Sequence, residues 1–267
     1  MLSAASISRI EQSQGWRRNR IEMLELGEGA VVVKGQRPGR GPLRFWLMHA
    51  IARCSRNPVL KPVPNRGGSD AQQTELRRLH DLQQAGVSVP NVLHVAHDYI
   101  VLQRIEGHHL DHCMRSASHS SVEAFQMGAD ALLDLHAKGQ YLSQAFARNM
   151  LNHQGHIVFI DFEDDPLLVM SLQQAQVRDW LSYVLSCIWG SHASREDLMQ
   201  VWSTVTQRMP LSLLIAIQGA IKSFAWMRHL SQNRKPWGRD MVMVQAAAAF
   251  LHQWNTESAP LRGHTVH

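Results

Sequence analysis

The stretch from Ala131 to Pro166, ALLDLHAKGQYLSQAFARNMLNHQGHIVFIDFEDDP, constrains the fold of this chain more than any other. Apolar spacing predicts a helix closing on Leu135-His136, a loop ending at Asn149, and a short β-hairpin that turns around Asn152 to Gly155. Its second strand, His156 to Ile160, delivers Asp161 into a loop. Asn149 and Asp161 stand twelve residues apart, one on each side of the hairpin. Two such oxygens suit a Mg²⁺ ion held against phosphate, because that ion takes few protein ligands and leaves room for a nucleotide.

Upstream, RIEMLELGEGAVVVKGQ (20–36) reads as a hairpin around Gly27-Glu28-Gly29, followed by a β-branched strand ending in Lys34. A Pro/Gly/Arg loop then leads into an amphipathic helix from about Pro42 to Arg53, carrying Phe45, Trp46 and Leu47, and a second Pro/Gly-rich loop follows. Ser69 or Asp70 can cap a helix running to Gln84, with Leu76, Leu79 and Leu82 at helical spacing, Glu75 in its second turn and Gly86 as its stop. Strands are expected over Asn91 to Ala96 and Asp98 to Gln103. Glu106-Gly107 then hinges a strand-rich front to a helix-rich back. Further helices are predicted over Val122–Lys138, Ser171–Trp189, Arg195–Arg208, Leu211–Ser231 and Arg239–Trp254. No internal repeat or low-complexity tract interrupts them.

Charge is unevenly spread. Residues 1–80 hold 14 Lys/Arg against 6 Asp/Glu, which leaves 13 against 16 for residues 81–267. The basic front could meet phosphate groups, an anionic membrane surface or nucleic acid. Nucleic acid fits least, since neither aromatic interleaving nor a recognisable motif accompanies the basic residues. Cys54, Cys113 and Cys187 lie far apart without a CxxC pair, which argues against zinc or a disulfide framework and for a reducing compartment. The 16 His residues show no metal-ligand spacing. The longest apolar runs, LSLLIAIQGAI and MVMVQAAAAFL, have 11 residues, too few to span a bilayer. The expected location is cytoplasmic, at most peripheral to the inner membrane.

The order of a strand ending in Lys34, a helix bearing Glu75, further strands, a hinge and the Asn149/Asp161 hairpin resembles the protein-kinase-like fold. It is most similar to the bacterial lipopolysaccharide (Kdo/heptose) kinase-like group, with aminoglycoside and choline kinases as more distant relatives. The pieces that carry the resemblance are AVVVK (30–34), LHAKG (135–139), RNML (148–151) and VFIDFEDDP (158–166). The resemblance implies an α+β bilobal fold, with a small β-rich N-lobe over 1–103 and a larger helical C-lobe over 104–267. It also implies an ATP- and Mg²⁺-dependent phosphotransferase acting on a sugar or lipopolysaccharide-type hydroxyl. Lys34 would then contact the α- and β-phosphates, and Glu75 would hold Lys34 by an ion pair. Asn149 and Asp161 would ligate the metal. Gly27, Gly29, Gln103 and Ile105 would line the nucleotide.

Each residue also has a plain structural explanation. A strand-end Lys is ordinarily solvated, Glu75 beside Arg77 and Arg78 could form ordinary helix ion pairs, and FEDDP could be a turn. Glu28 between the two glycines would repel phosphate, so a plain hairpin turn explains that segment equally well. The largest departure from the kinase-like pattern is at Gln144, five residues before Asn149, where those enzymes carry a base Asp. An amide oxygen is barely basic, so Gln144 can orient a hydroxyl but not take its proton. A pseudokinase, binding nucleotide or scaffolding a partner, is therefore the second expectation. Arg178, inside an apolar helix, is expected to anchor the acidic loop 163–165.

Overall fold

Alternating residues in Ile21–Leu26 (β1) and Gly29–Gly35 (β2) give two strands that pair antiparallel across the Gly27-Glu28 turn. The computed structural model describes residues 2–37, 57–64, 67–116, 120–236 and 238–257. The expected helix from Pro42 to Arg53, and Cys54, lie outside them. Val92–Val95 (β3) and Tyr99–Gln103 (β4) complete an antiparallel sheet of order β1-β2-β4-β3.

Each face of this sheet is covered differently. Val31, Val33, Tyr99 and Val101 point to one side and pack with Ile10 and Trp16. Those two side chains belong to helices α1 (Ala4–Gln12) and α2 (Gly15–Asn19), which sequence periodicity does not reveal because each buries little besides that residue. The opposite face carries Lys34, Ile100 and Leu102. Ile100 and Leu102 join Leu79 and Leu82 of helix α3 (Gly68–Gln84) in the main core. That helix starts one turn ahead of the expected cap: Gly67 takes the N-cap position, and Asp70 falls in the first turn, where a carboxylate favours the helix N-terminus. Gly86, at φ +67, ends it as expected.

After the hinge, His108–His109 (β5), Met150–His153 (β6) and His156–Phe159 (β7) form a second small sheet. Around it lie helices α4 (Leu110–Arg115), α5 (Ser121–Ala137), α6 (Leu172–Ile188), α7 (Arg195–Gln207), α8 (Leu211–Phe224) and α9 (Arg239–Glu257). The helix expected over Leu211–Ser231 tightens into a 3₁₀ segment at Ala225–His229, where the run of buried side chains ends and Trp226 turns outward. Trp180, Trp202 and Trp254 stack edge-on at centroid spacings of 5.6 and 5.7 Å and are closed off from water. The architecture is α+β, a small antiparallel-sheet lobe followed by a larger helical lobe, as expected from the sequence. No helix among the described residues is long and apolar enough to cross a membrane.

Candidate active site

The strand register puts Lys34 opposite Ile21 on one side and Ile100 on the other, on the face toward α3. Its Nζ donates to Glu75 Oε1 at 2.7 Å and to Asp161 Oδ1 at 2.8 Å, and it lies 2.9 Å from Glu163 Oε1. Residues 41 and 127 positions away in the chain thus converge on one ammonium group. Lys34 is 7% exposed and Glu75 is 2% exposed. Buried charges of this kind persist only where partners compensate their lost hydration. Three carboxylates surround Lys34, and a second cation, Arg20, pairs with Glu163.

Asp161 is the exposed member of this cluster. Partial desolvation disfavours its charge, but the charge and hydrogen bond of Lys34, with Arg20 and Arg148, outweigh that and hold its carboxyl below the ordinary carboxylate range. Its backbone lies at φ +70, a left-handed conformation uncommon outside glycine. Among the described non-glycine residues, Arg20 (φ +68) and Ser143 (φ +81) share that feature, and the fourth is Gln154 in the hairpin turn. Two of these four, Arg20 and Asp161, belong to the one cluster around Lys34, and unusual backbone of this kind gathers at functional sites.

Asn149 closes a 3₁₀ turn, Ala147–Asn149, and its carbonyl accepts from Ile160 N at 3.0 Å across the hairpin base. Its Nδ2 donates to the Gln144 carbonyl at 3.1 Å, so the oxygen end of the side-chain amide is not spent on the loop. Asp161 and Asn149 thus offer one carboxylate and one amide oxygen. That set suits Mg²⁺ completed by phosphate and water rather than an all-protein cage. Among the described residues, no three His, Cys, Asp or Glu side chains converge on a metal geometry.

The loop from Gln140 to Asn149 is held from below by Asp179 of α6. This fully buried carboxylate accepts from Leu142 N at 2.7 Å and lies 3.2 Å from His136 Nε2. Gln144 Nε2 donates to the buried Asp164 carboxylate. Arg178 turns elsewhere than expected and donates to the carbonyls of Val59 and Lys61 at 3.1 and 2.8 Å. The acidic loop is anchored instead by Arg77, which donates to Asp165 at 2.7 Å, and by Tyr141 Oη at 2.8 Å. Burial pushes the Tyr141 phenol up, keeping it a donor.

Two of the expected groups do not face Lys34. Gly29 pairs with Leu26 at the far end of the ladder from the Ile21–Lys34 pair. Five residues of strand separate them, about 17 Å at the usual rise per residue. Glu28 in that turn accepts from Ser3 N at 2.7 Å and Ser6 Oγ at 2.6 Å, and these bonds pull its carboxyl down to about 2. Gly27 and Gly29 therefore sit at a turn tied to α1, away from Lys34. Gln103 pairs with Val31, so its side chain lies on the opposite face from Lys34, where its Oε1 accepts from Asn91 at 2.8 Å. Ile105 is half-buried in the link that follows β4.

An apolar strip escaped the sequence reading. Met23 lies opposite Val32, and Val32 opposite Leu102, so Ile21, Met23, Val32 and Leu102 share the face of Lys34. Ile21 is 45% and Met23 61% exposed. The available signal was that IEMLEL places apolar residues on both faces of one strand. A cavity of about 690 Å³ lies apart from this cluster, between α5, α7 and the β6–β7 turn.

No protein-family description matches the chain, and no curated protein matches it. Among solved structures the chain is similar to the gentamicin-APH(2")-IIa complex, at 14% identity and a TM-score of 0.41, over 95% of this chain and 97% of that one. It is also similar to the streptomycin-ATP-APH(2")-IIa ternary complex, at 15% identity and a TM-score of 0.39, over 94% and 99%.

Proposed function

We propose that this chain is a kinase-like phosphotransferase that binds ATP with Mg²⁺ between a small lobe ending near residue 103 and the helical lobe, and phosphorylates a hydroxyl of a sugar or lipid-linked acceptor. One observation carries this: the buried Lys34 ammonium is shared between Glu75 of α3 and Asp161 beyond β7. In this reading Glu75 fixes the Lys34 ammonium where it meets the phosphates, and Asp161 with Asn149 would hold the metal. The bound ion would neutralise charge on the phosphate oxygens. Ile21, Met23, Val32 and Leu102 offer the base an apolar platform beside that charge.

Gln144 favours a second reading, a pseudokinase. A carboxylate only accepts hydrogen bonds, so Asp164 must face the Nε2 end of Gln144 and leaves its weakly basic carbonyl for any hydroxyl. General-base help is typically worth about 10²–10⁴ in rate, so its loss slows phosphoryl transfer without removing positioning and charge stabilisation.

Thermal unfolding with ATP and Mg²⁺ tests the nucleotide site. The natural protein should melt higher with the pair, and Asp161→Ala should lose that gain. No shift in the natural protein would overturn the proposal. Gln144→Asp combined with Asp164→Asn, which avoids two facing carboxylates, should raise ATP turnover by about 10² if only the base is missing. Unchanged turnover in that variant favours the pseudokinase.

A further inference from the structure

We infer that Arg20 is the phosphate-gripping residue of this site and takes the role expected of the glycine turn. The inference rests on the nucleotide reading above and assigns Arg20 to the polyphosphate tail of a nucleoside di- or triphosphate. The turn with Gly27 and Gly29 stands at the wrong end of β2, so it cannot reach phosphates lying beside Lys34. The α2–β1 junction stands there instead. Arg20 immediately precedes Ile21, the ladder partner of Lys34, and its own carbonyl accepts from Gly35 N at 2.7 Å. Its backbone is therefore pinned beside the strand end that presents Lys34.

The guanidinium points into the cluster. It pairs with Glu163, which also touches Lys34, while its Nε is buried without a hydrogen-bond partner. A buried donor left unused is costly and uncommon in folded chains. A phosphate, which takes two parallel donors from one guanidinium, would satisfy it. Arg20 is half-buried, and burial lowers its pKa against the pull of Asp161 and Glu75. Arg20, Lys34, Gln36, Gln72, Glu75 and Glu163 border a recess of only about 10 Å³. That holds about one water molecule, so a phosphate enters only as Arg20 exchanges Glu163 for it. Glu163 is then a competitor that keeps Arg20 parked.

Equilibrium titration with adenosine and ADP in Mg²⁺-free buffer separates the outcomes. Arg20→Gly tolerates the left-handed backbone without strain, and Arg20→Lys keeps the charge but not the fork. ADP should bind Arg20→Gly at least tenfold more weakly than the natural protein and Arg20→Lys at an intermediate level, with adenosine affinity unchanged in both. Glu163→Gln should bind ADP more tightly, because the competitor is weakened. Natural-like ADP affinity in Arg20→Gly would overturn the role of Arg20 alone. Absence of both adenosine and ADP binding in the natural protein would overturn the nucleotide reading and this inference with it.

Discussion

Asp179 shows how much one buried carboxylate can organise. It fastens the Leu142 amide and faces His136, so the loop that carries Gln144 and Asn149 is fixed from inside the helical lobe. Asp179→Ala leaves both partners uncompensated in a site closed to water. The expected loss is about 1–3 kcal/mol, read from urea unfolding. Asp179→Asn, which still accepts from the Leu142 amide, should lose less. Asp165 gives the acid response. Desolvation disfavours its charge, but Arg77, Tyr141 and the Leu167 amide more than compensate, so its carboxyl lies below the ordinary range. A group depressed on folding contributes stability above its unfolded value, about pH 4, and that contribution drains as pH falls through the folded value. The natural protein should therefore lose urea resistance below about pH 4, and Asp165→Asn should show a flatter decline over the same window. Equal slopes in the two would refute this linkage.

At the scale of elements, the hinge glycine is required by close approach rather than by its φ. A Cβ at Gly107 would lie 2.4 Å from the Asn152 backbone oxygen, next to the His108–Asn152 pairing of β5 with β6. Backbone cannot yield as a flexible side chain does, so Gly107→Ala should cost about 1–3 kcal/mol by overpacking and pry β5 from the hairpin that holds Asn149. Gly219, exposed in α8 with nothing within 4 Å of its Cβ position, is the contrast. There Ala should gain up to about 1 kcal/mol from helix propensity. Chemical denaturation of both variants checks the opposite signs. The same distinction explains what the sequence made legible. The strand ending in Lys34, the helix bearing Glu75 and the hairpin between Asn149 and Asp161 are each written in local periodicity. Their convergence follows the order of elements. What stayed hidden depends on pairing between distant segments: the register that sends the Gly27 turn away from Lys34, the face that Gln103 occupies, and the meetings of Arg20 with Glu163 and of Gln144 with Asp164. Arg178 misled because its place in an apolar helix suggested the acidic loop as its anchor, whereas it reaches the carbonyl oxygens of Val59 and Lys61.

Across the whole molecule the two lobes share one apolar core. Leu79, Leu82, Ile100 and Leu102 from the small lobe belong to the same cluster as Phe125, Trp180, Trp202 and Trp254 from the helices, whereas Ile10, Trp16, Val31, Val33, Tyr99 and Val101 form a separate one. A continuous core couples the lobes thermodynamically, so neither should unfold with the other intact. The second cluster, which α1 and α2 close over the sheet, is the part free to open locally. Trp202 tests this at the centre of the helical lobe, between Trp180 and Trp254. Trp202→Ala removes a fully buried ring and should cost about 3–5 kcal/mol. Because Ile100 and Leu102 lie on β4, the strand that pairs with Lys34, the loss should move helix content and tryptophan fluorescence together, in one transition. Hydrogen exchange of α1 and α2 should exceed that of α3 in the natural protein and in the variant alike. If Trp202→Ala instead melts the helices while the sheet lobe keeps its exchange protection, the lobes are independent units and the shared core does not couple them.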